Sequence, residues 1–320
     1  MPYAKIIGTG SYLPEKILTN DDFAKMVDTT DEWIMQRVGI RERHFVGDSG
    51  DTTCSMAEAA SRAALQAANV TADQLDMIVV GTASGDYLFP SVACVLQKNL
   101  GIKAHIPAFD VNAACAGFIY ALSQSDLYVR SGEVKIVLVV GVDTLSAVLN
   151  WQDRSTCVLF GDGAGAVVLQ ASNEPGIITT DLFADGSYAD CLYATNKLFD
   201  DSSMGGKLVM DGQEVFKAAV KHLGALVEHT LQKAHMKQSD VDWLIPHQAN
   251  IRIIQAVAKR LNLPMERVVT TIEHHGNTSA ASIPLALDET VRAGKIKPGQ
   301  VVLMEAFGGG LSWGSALVKM

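Results

Sequence analysis

Three phrases in the first half of this 320-residue chain return, in the same order, in the second half. DQLDMIVVG (73–81) resembles SDVDWLIPH (239–247), and GEVKIVLVVGVDTLS (132–146) resembles GQVVLMEAFGGGLS (299–312). GAGAVVL (163–169) resembles SWGSALV (312–318). The first two pairs are offset by 166 and 167 residues and the third by fewer, so the first half carries extra loop around 147–160. Repetition on this scale predicts two similar halves related by a pseudo-twofold axis, not a solenoid of short units. No Pro- or Ser-rich linker separates them, which predicts one body whose halves span 1–172 and 173–320.

Within the first half, strands are predicted at KIIGTGSY, DMIVVGTA, AFDVN, VKIVLVVGVD, TCVLFGD and GAVVLQA. Each is β-branched or apolar and ends near Gly, Asp or Asn. Helical stretches separate most of them. TCSMAEAASRAALQAAN opens with Thr and continues with alanines and apolar residues at helical spacing. Alternation of this kind predicts an α/β fold. GDGAGA (161–166) invites a dinucleotide reading, but it lies between two predicted strands and opens no helix, so a tight turn is expected.

Composition excludes several classes of function. A net charge of −9 argues against nucleic acid, while leaving room for a local basic patch facing an acidic partner. No apolar run approaches the ~18 residues of a membrane span. The five cysteines (Cys54, Cys94, Cys115, Cys157 and Cys191) are scattered and lack CxxC spacing, so neither structural zinc nor a disulfide framework is expected. MPYAKIIGTGSYLP has none of the marks of a secretory signal, and a reducing cytoplasm is the expected compartment.

One cysteine stands out. In DVNAACAG (110–117), Cys115 follows a predicted strand, and the small residues around it can start a tightly packed helix. On its own such a residue is more often an inert, buried small hydrophobe than a nucleophile. At a helix N-terminus, however, the positive end of the dipole favours a thiolate, the form suited to thioester and acyl transfer. Carried over by the repeat offset, Cys115 lands near Ala281 in HHGNTSAAS, so the repeat sets its helix opposite the Asn277 segment. PHQAN places His247 just beyond the apolar DWLI, at the position that corresponds to Gly81. Taken singly, His247 could be a satisfied core histidine and Asn277 a helix cap. Together at strand-end turns they point to a site where the halves meet. AFGGG (306–310) adds glycines whose N–H groups can approach a ligand as an oxyanion hole, or form a plain turn.

ACAGF, GDGAG, ADGSY, PHQAN, HGNTSAAS, KPGQ and EAFGGGLSWGSA, in that order, resemble the β-ketoacyl-acyl-carrier-protein synthase III family. These are the initiating condensing enzymes of bacterial fatty acid synthesis. The resemblance runs from GTGSYLP to the last residues, and it implies the thiolase fold with two βαβαβ-type halves. It further implies that Cys115 takes the acyl group from an acyl-CoA and that the N–H groups of Cys115 and Gly309 hold the oxyanion. His247 and Asn277 would then stabilise the enolate formed when malonyl-acyl carrier protein loses CO₂. Neither metal nor redox cofactor is implied. Asn277 stands where elongating relatives carry a second histidine, and His275 beside it is expected to be structural.

The same resemblance puts Trp33 and Arg154 around the CoA adenine, with Arg37 and Asn250 as further contacts. An indole face and a guanidinium plane suit that task. Phe89 would reach across a homodimer interface to close the partner's acyl pocket, with Phe160 and Phe307 as pocket walls. Lys217, Arg252, Lys259 and Arg260 would form the basic patch for an acidic carrier protein, although each alone reads more readily as solvated charge. GIKAHIPAFD is one residue longer than the family pattern, Asn112 replaces a small apolar residue, and NKLFDDSSMGGKLVMDG differs freely. These departures bear on primer length. Rival readings are a papain-type cysteine hydrolase, a sister condensing enzyme making hydroxymethylglutaryl-CoA or polyketides, and a CoA-binding scaffold without turnover.

Overall fold

The computed structural model describes residues 1–195 and 207–320, so part of the divergent NKLFDDSSMGGKLVMDG stretch lies outside the described residues. The first half runs β1 (Tyr3–Tyr12), β2 (Lys16–Thr19), α1 (Asn20–Ala24), α2 (Asp31–Val38), β3 (Glu42–Phe45) and α3 (Thr53–Ala68). It continues with β4 (Met77–Gly81), α4 (Val92–Asn99), β5 (Ala108–Val111), α5 (Gly117–Ser131), β6 (Ile136–Thr144) and β7 (Asp162–Ser172). The second half runs β8 (Ile177–Ala184), β9 (Leu192–Ala194), β10 (Leu208–Met210), α6 (Gly212–Lys233), β11 (Trp243–Pro246) and α7 (Ile251–Arg260). α8 (Ile272–His275), α9 (Ser282–Arg292), β12 (Val301–Gly308) and β13 (Ser312–Lys319) complete it. Among the described residues no helix is long and apolar enough to cross a membrane.

The duplication is visible strand by strand. One sheet is ordered β1-β7-β6-β4-β5 and the other β8-β13-β12-β11. In each, the first two pairings are antiparallel and the next is parallel. Where β5 lies beside β4, the second half has Val268 and Val269 alongside Leu244, with the Val269 N–H donating to the Leu244 carbonyl at 2.9 Å.

Five layers result. α3 and α4 cover one face of the first sheet through Met56, Ala60, Ala64 and Leu96. α6 and α7 cover the outer face of the second through Leu223, Leu226, Ile254 and Val257. Between the sheets lie α5 and α9, whose Phe118, Leu122, Ile283 and Leu287 share a core with strands of both. Covering on both sides explains why β4 and β6 are apolar runs without alternation. α3 begins where Thr52 and Ser55 cap each other reciprocally and ends at a left-handed Asn69.

Two local expectations fail. GDGAGA is not a turn: from Asp162 onward it is the start of β7. Its small residues are needed because α9 packs directly on that strand, with Pro284 and Leu285 against Gly165. TCVLFGD is not a strand of the first sheet, because β6 and β7 already pair with each other. It turns instead toward the second half, where Phe160 bridges to Asn277. The fully buried Arg43 holds this excursion. Its Nε donates to the Val158 carbonyl at 2.9 Å, Nη2 donates to the same oxygen, and Nη1 donates to Asn20 Oδ1 at 2.6 Å.

The halves touch backbone to backbone where β6 meets the 3-10 turn Ser279–Ala281. A Cβ on Gly141 would fall 2.3 Å from the Ala280 carbonyl oxygen. Two residues on, Asp143 Oδ2 accepts the Ala280 N–H at 3.1 Å. Gly141→Ala would force a backbone out of a filled seam, a loss of about 3 kcal/mol or more. We expect a thermal midpoint several degrees below wild type in calorimetry; an unchanged midpoint would show that the seam yields freely.

Candidate active site

Cys115 sits in the 3-10 turn Ala114–Ala116, between β5 and the N-terminus of α5. Ala114 takes φ +47°, a left-handed conformation that turns the chain sharply into the helix. The second half repeats the device: Ser279 takes φ +51° and Ser279–Ala281 leads into α9. Ala280 is therefore the counterpart of Cys115, and the thiol belongs to one half only. Cys115 is buried, 7% exposed, with Sγ 3.4 Å from Ser279 Oγ.

His247 follows β11, and its N–H donates to the Glu305 carbonyl at 2.7 Å. Its Nδ1 lies 2.6 Å from the hydroxyl of Ser282, the first residue of α9. With Ser282 donating to Nδ1, Nε2 carries the proton and has no partner among the described residues. Gln248 locks this turn. Its Nε2 donates to the carbonyls of Pro246 and Val269, and its Oε1 accepts the N–H groups of Thr271 and Ile272.

Asn277 is fixed by its backbone on both sides of Phe160: its N–H donates to Leu159 and its carbonyl accepts from Gly161, each at 2.9 Å. Its Oδ1 accepts the Ser279 N–H at 3.0 Å, leaving the Nδ2 donors without a partner among the described residues. The six residues 277–282 thus carry Asn277, touch Cys115 through Ser279 and touch His247 through Ser282. Behind them, His274 and His275 both contact Glu289 through Nε2, at 3.1 and 3.2 Å. These are ligand-type atoms within 4.8 Å of one another, yet each is already engaged in an imidazole–carboxylate hydrogen bond.

Electrostatics differ from the expectation at one point. Burial pushes the Cys115 thiol up to about 11, against the opposing Ser279 hydrogen bond, so the unliganded sulfur keeps its proton despite the α5 terminus. Burial pulls His247 down to about 3, so the imidazole is neutral. At pH 7 the site holds a thiol and a free base, not an ion pair.

Within the glycine run, Gly308 packs directly on the cysteine: an added Cβ would fall 2.6 Å from the Cys115 nitrogen. Gly309 lies against Ala114 and the Leu192 carbonyl. Phe160 and Phe307 are both buried, Phe307 against Trp313. Phe89, in contrast, is 84% exposed, next to exposed Tyr87 and Leu88.

Trp33, Arg37 and Arg154 do come together, with the two guanidinium carbons 4.9 and 5.3 Å from the indole centroid. Arg154 is also tied to Asp28, so a base could enter the sandwich only as that exposed pairing lets go. Asn250 is the N-cap of α7, and its Nδ2 donates to the Arg37 carbonyl. The basic residues lie on the exposed faces of α6 and α7. Lys217 pairs with Glu214 and Arg260 with Glu228, while Arg252 covers the Phe216 ring. Lys259 has no ionic partner among the described residues.

Sequence reasoning missed Ser279, Ser282, Gln248, Asp143 and Glu305. Both oxygens of Glu305 are buried without a partner among the described residues, and burial pushes this carboxyl up to about 8. Below the unfolded value near 4.5 it is protonated in both states and costs nothing. As pH rises toward 8 the unfolded chain loses the proton first, so stability falls across that window. Glu305→Gln should therefore gain on wild type by a few kcal/mol between about pH 4.5 and pH 8. Thermal midpoints of both proteins across the window check this; a constant difference would refute a protonated Glu305.

Comparison with known proteins agrees with the geometry. The family model for 3-oxoacyl-[acyl-carrier-protein] synthase III matches residues 109–186, and its C-terminal model matches 231–320. The chain is 59% identical over 320 residues to β-ketoacyl-[acyl-carrier-protein] synthase III of Coxiella burnetii, covering all of both chains. It is 58% identical to the Xanthomonas campestris enzyme of that name, covering 99% of this chain and 98% of the relative. The Aquifex aeolicus 3-oxoacyl-[acyl-carrier-protein] synthase III structure superposes with a TM-score of 0.94 at 47% identity, over 99% of this chain and 100% of that one. A priming β-ketosynthase of the R1128 polyketide pathway gives 0.95 at 38%, over 99% and 96%. A duplicated five-layer fold, a cysteine, a histidine and an asparagine anchored to one seam segment, and full-length identity near 60% lead to one conclusion: the chain belongs to the β-ketoacyl-[acyl-carrier-protein] synthase III family.

Proposed function

We propose that the protein condenses an acyl-CoA primer, acetyl-CoA in the first instance, with malonyl-acyl carrier protein. The products are a β-ketoacyl-carrier protein, CO₂ and free CoA, and the step initiates fatty acid synthesis. The observation that carries this reading is the anchoring of Cys115, His247 and Asn277 to the single segment 277–282.

The Cys115 sulfur attacks the thioester carbonyl and its S–H proton passes to the departing CoA sulfur, since neutral His247 already carries its proton on Nε2. The N–H groups of Cys115 and Gly309 hold the resulting oxyanion, and collapse expels CoA, which leaves with the proton. Malonyl-carrier protein then enters. The donors Nε2–H of His247 and Nδ2–H of Asn277 stabilise the enolate oxygen as CO₂ departs. The carbanion attacks the acyl-cysteine and releases the sulfur. Lost carboxylate and thioester supply the driving force, so the reaction calls on neither metal nor redox cofactor.

Trp33 and Arg154 would stack the adenine, with Arg37 and Asn250 beside them; Phe160 and Phe307 would wall the acyl pocket. Lys217, Arg252, Lys259 and Arg260 would steer the acidic carrier protein. A second copy of the chain would cover the exposed Tyr87–Leu88–Phe89 run, Phe89 closing the partner's pocket. Sedimentation at monomer mass would remove that part. Five unpaired cysteines and CoA substrates suit the cytoplasm. A polyketide-priming role is the second reading, favoured by the 38% identical priming ketosynthase; it differs in primer, not in chemistry.

Radiolabelled acetyl-CoA should label wild-type protein and leave Cys115→Ala unlabelled. Asn277→Ala should still acquire label yet lose CO₂ release from malonyl-carrier protein by about a hundredfold or more. Equal labelling of wild type and Cys115→Ala would defeat the nucleophile assignment. Trp33→Ala should raise KM for acetyl-CoA about tenfold with kcat held, as loss of uniform binding demands; an unchanged KM would remove the stacking role.

A further inference from the structure

Ser279 has two properties that the reaction above leaves unused. It holds a left-handed backbone, costly for any residue with a Cβ. Its hydroxyl lies 3.4 Å from Cys115 Sγ. The equivalent turn in the first half is also left-handed, but there the residue is Ala114. The fold thus asks for the twist twice and for the hydroxyl once, on the side that meets the sulfur.

Beyond Ser279 lies Asp143, wholly buried on β6. Its carboxylate accepts the Ala280 and Ala83 N–H groups at 3.1 and 2.8 Å and the Ser84 and Thr82 hydroxyls at 2.8 and 3.2 Å, and it also engages the Ser279 hydroxyl. A buried negative charge here disfavours an anion on Cys115. Asp143 from β6 is the charged side chain that acts on Cys115; Asp162 couples to Asp143 in turn, and His247 and Glu305 are the other buried titratable groups around the site.

We infer that Ser279 is a positioning residue for Cys115: its hydroxyl orients the sulfur and holds a proton on it as the thiolate forms. With Cys115 protonated, the Ser279 hydroxyl donates to Sγ at 3.4 Å. As the thiol proton leaves, that bond becomes charge-assisted, placed between the new anion and Asp143. The inference rests on Cys115 being the nucleophile.

The test follows the rate of iodoacetamide alkylation of the Cys115 peptide by mass spectrometry from about pH 7 to about pH 9. Wild type, Ser279→Ala and Ser279→Gly are compared, with acetylation of wild-type Cys115 by acetyl-CoA measured alongside. Glycine tolerates the left-handed backbone, so it removes the hydroxyl without straining the turn. Both variants should react about tenfold more slowly throughout this range, the mark of a thiol raised by about one unit. An unchanged or faster rate in the glycine variant, whatever alanine does, would overturn the role of Ser279. Wild-type Cys115 that never acquires acetyl would instead bring down the nucleophile assignment itself.

Discussion

Everything chemical in this molecule depends on how tightly β6 is pressed against the turn Ser279–Ala281. At Gly141 the two backbones approach so closely that no side chain fits, and Asp143 ties the Ala280 N–H across the same gap. A contact between backbones leaves little freedom, because neither partner can change rotamer. The turn that carries Ser279 is thereby held at the sulfur's distance, and α9, which starts directly after it, delivers Ser282 to His247. Two sheets, each contributing buried strands, act as the frame that keeps those few contacts in place.

Burial at this seam sets the chemistry as much as geometry does. A thiol pushed up by desolvation and an imidazole pulled down by the same cause are both uncharged at rest. Creating an anion on Cys115 in that environment is unfavourable. A buried, protonated thiol is also a poor target for oxidation and alkylation, which act on thiolates.

Most of this was legible before the structure. The duplicated phrases located both sheets, and β4, β6 and β7 align with β11, β12 and β13 as the repeat requires. Cys115 and His247 stood out because each follows a strand end; Asn277 was expected at one as well, but the residues before it form α8. What failed, failed for a physical reason. In GDGAG, glycine serves helix packing on a strand, but glycine in a sequence looks the same whether it permits a turn or a close approach. TCVLFGD has strand composition, yet both neighbours it could have paired with were already satisfied by each other. Ser279, Gln248 and Glu305 are invisible to periodicity, because their importance lies in partners brought together only by the fold.

The concentration of duties in 277–282 has an evolutionary consequence. One inserted or deleted residue there would rotate everything beyond it by ~100° about the coming helix axis. An insertion before Ser279 would part the amide from the cysteine contact, and one between Ser279 and Ser282 would part both from the imidazole support. These six positions therefore work together only at their present count.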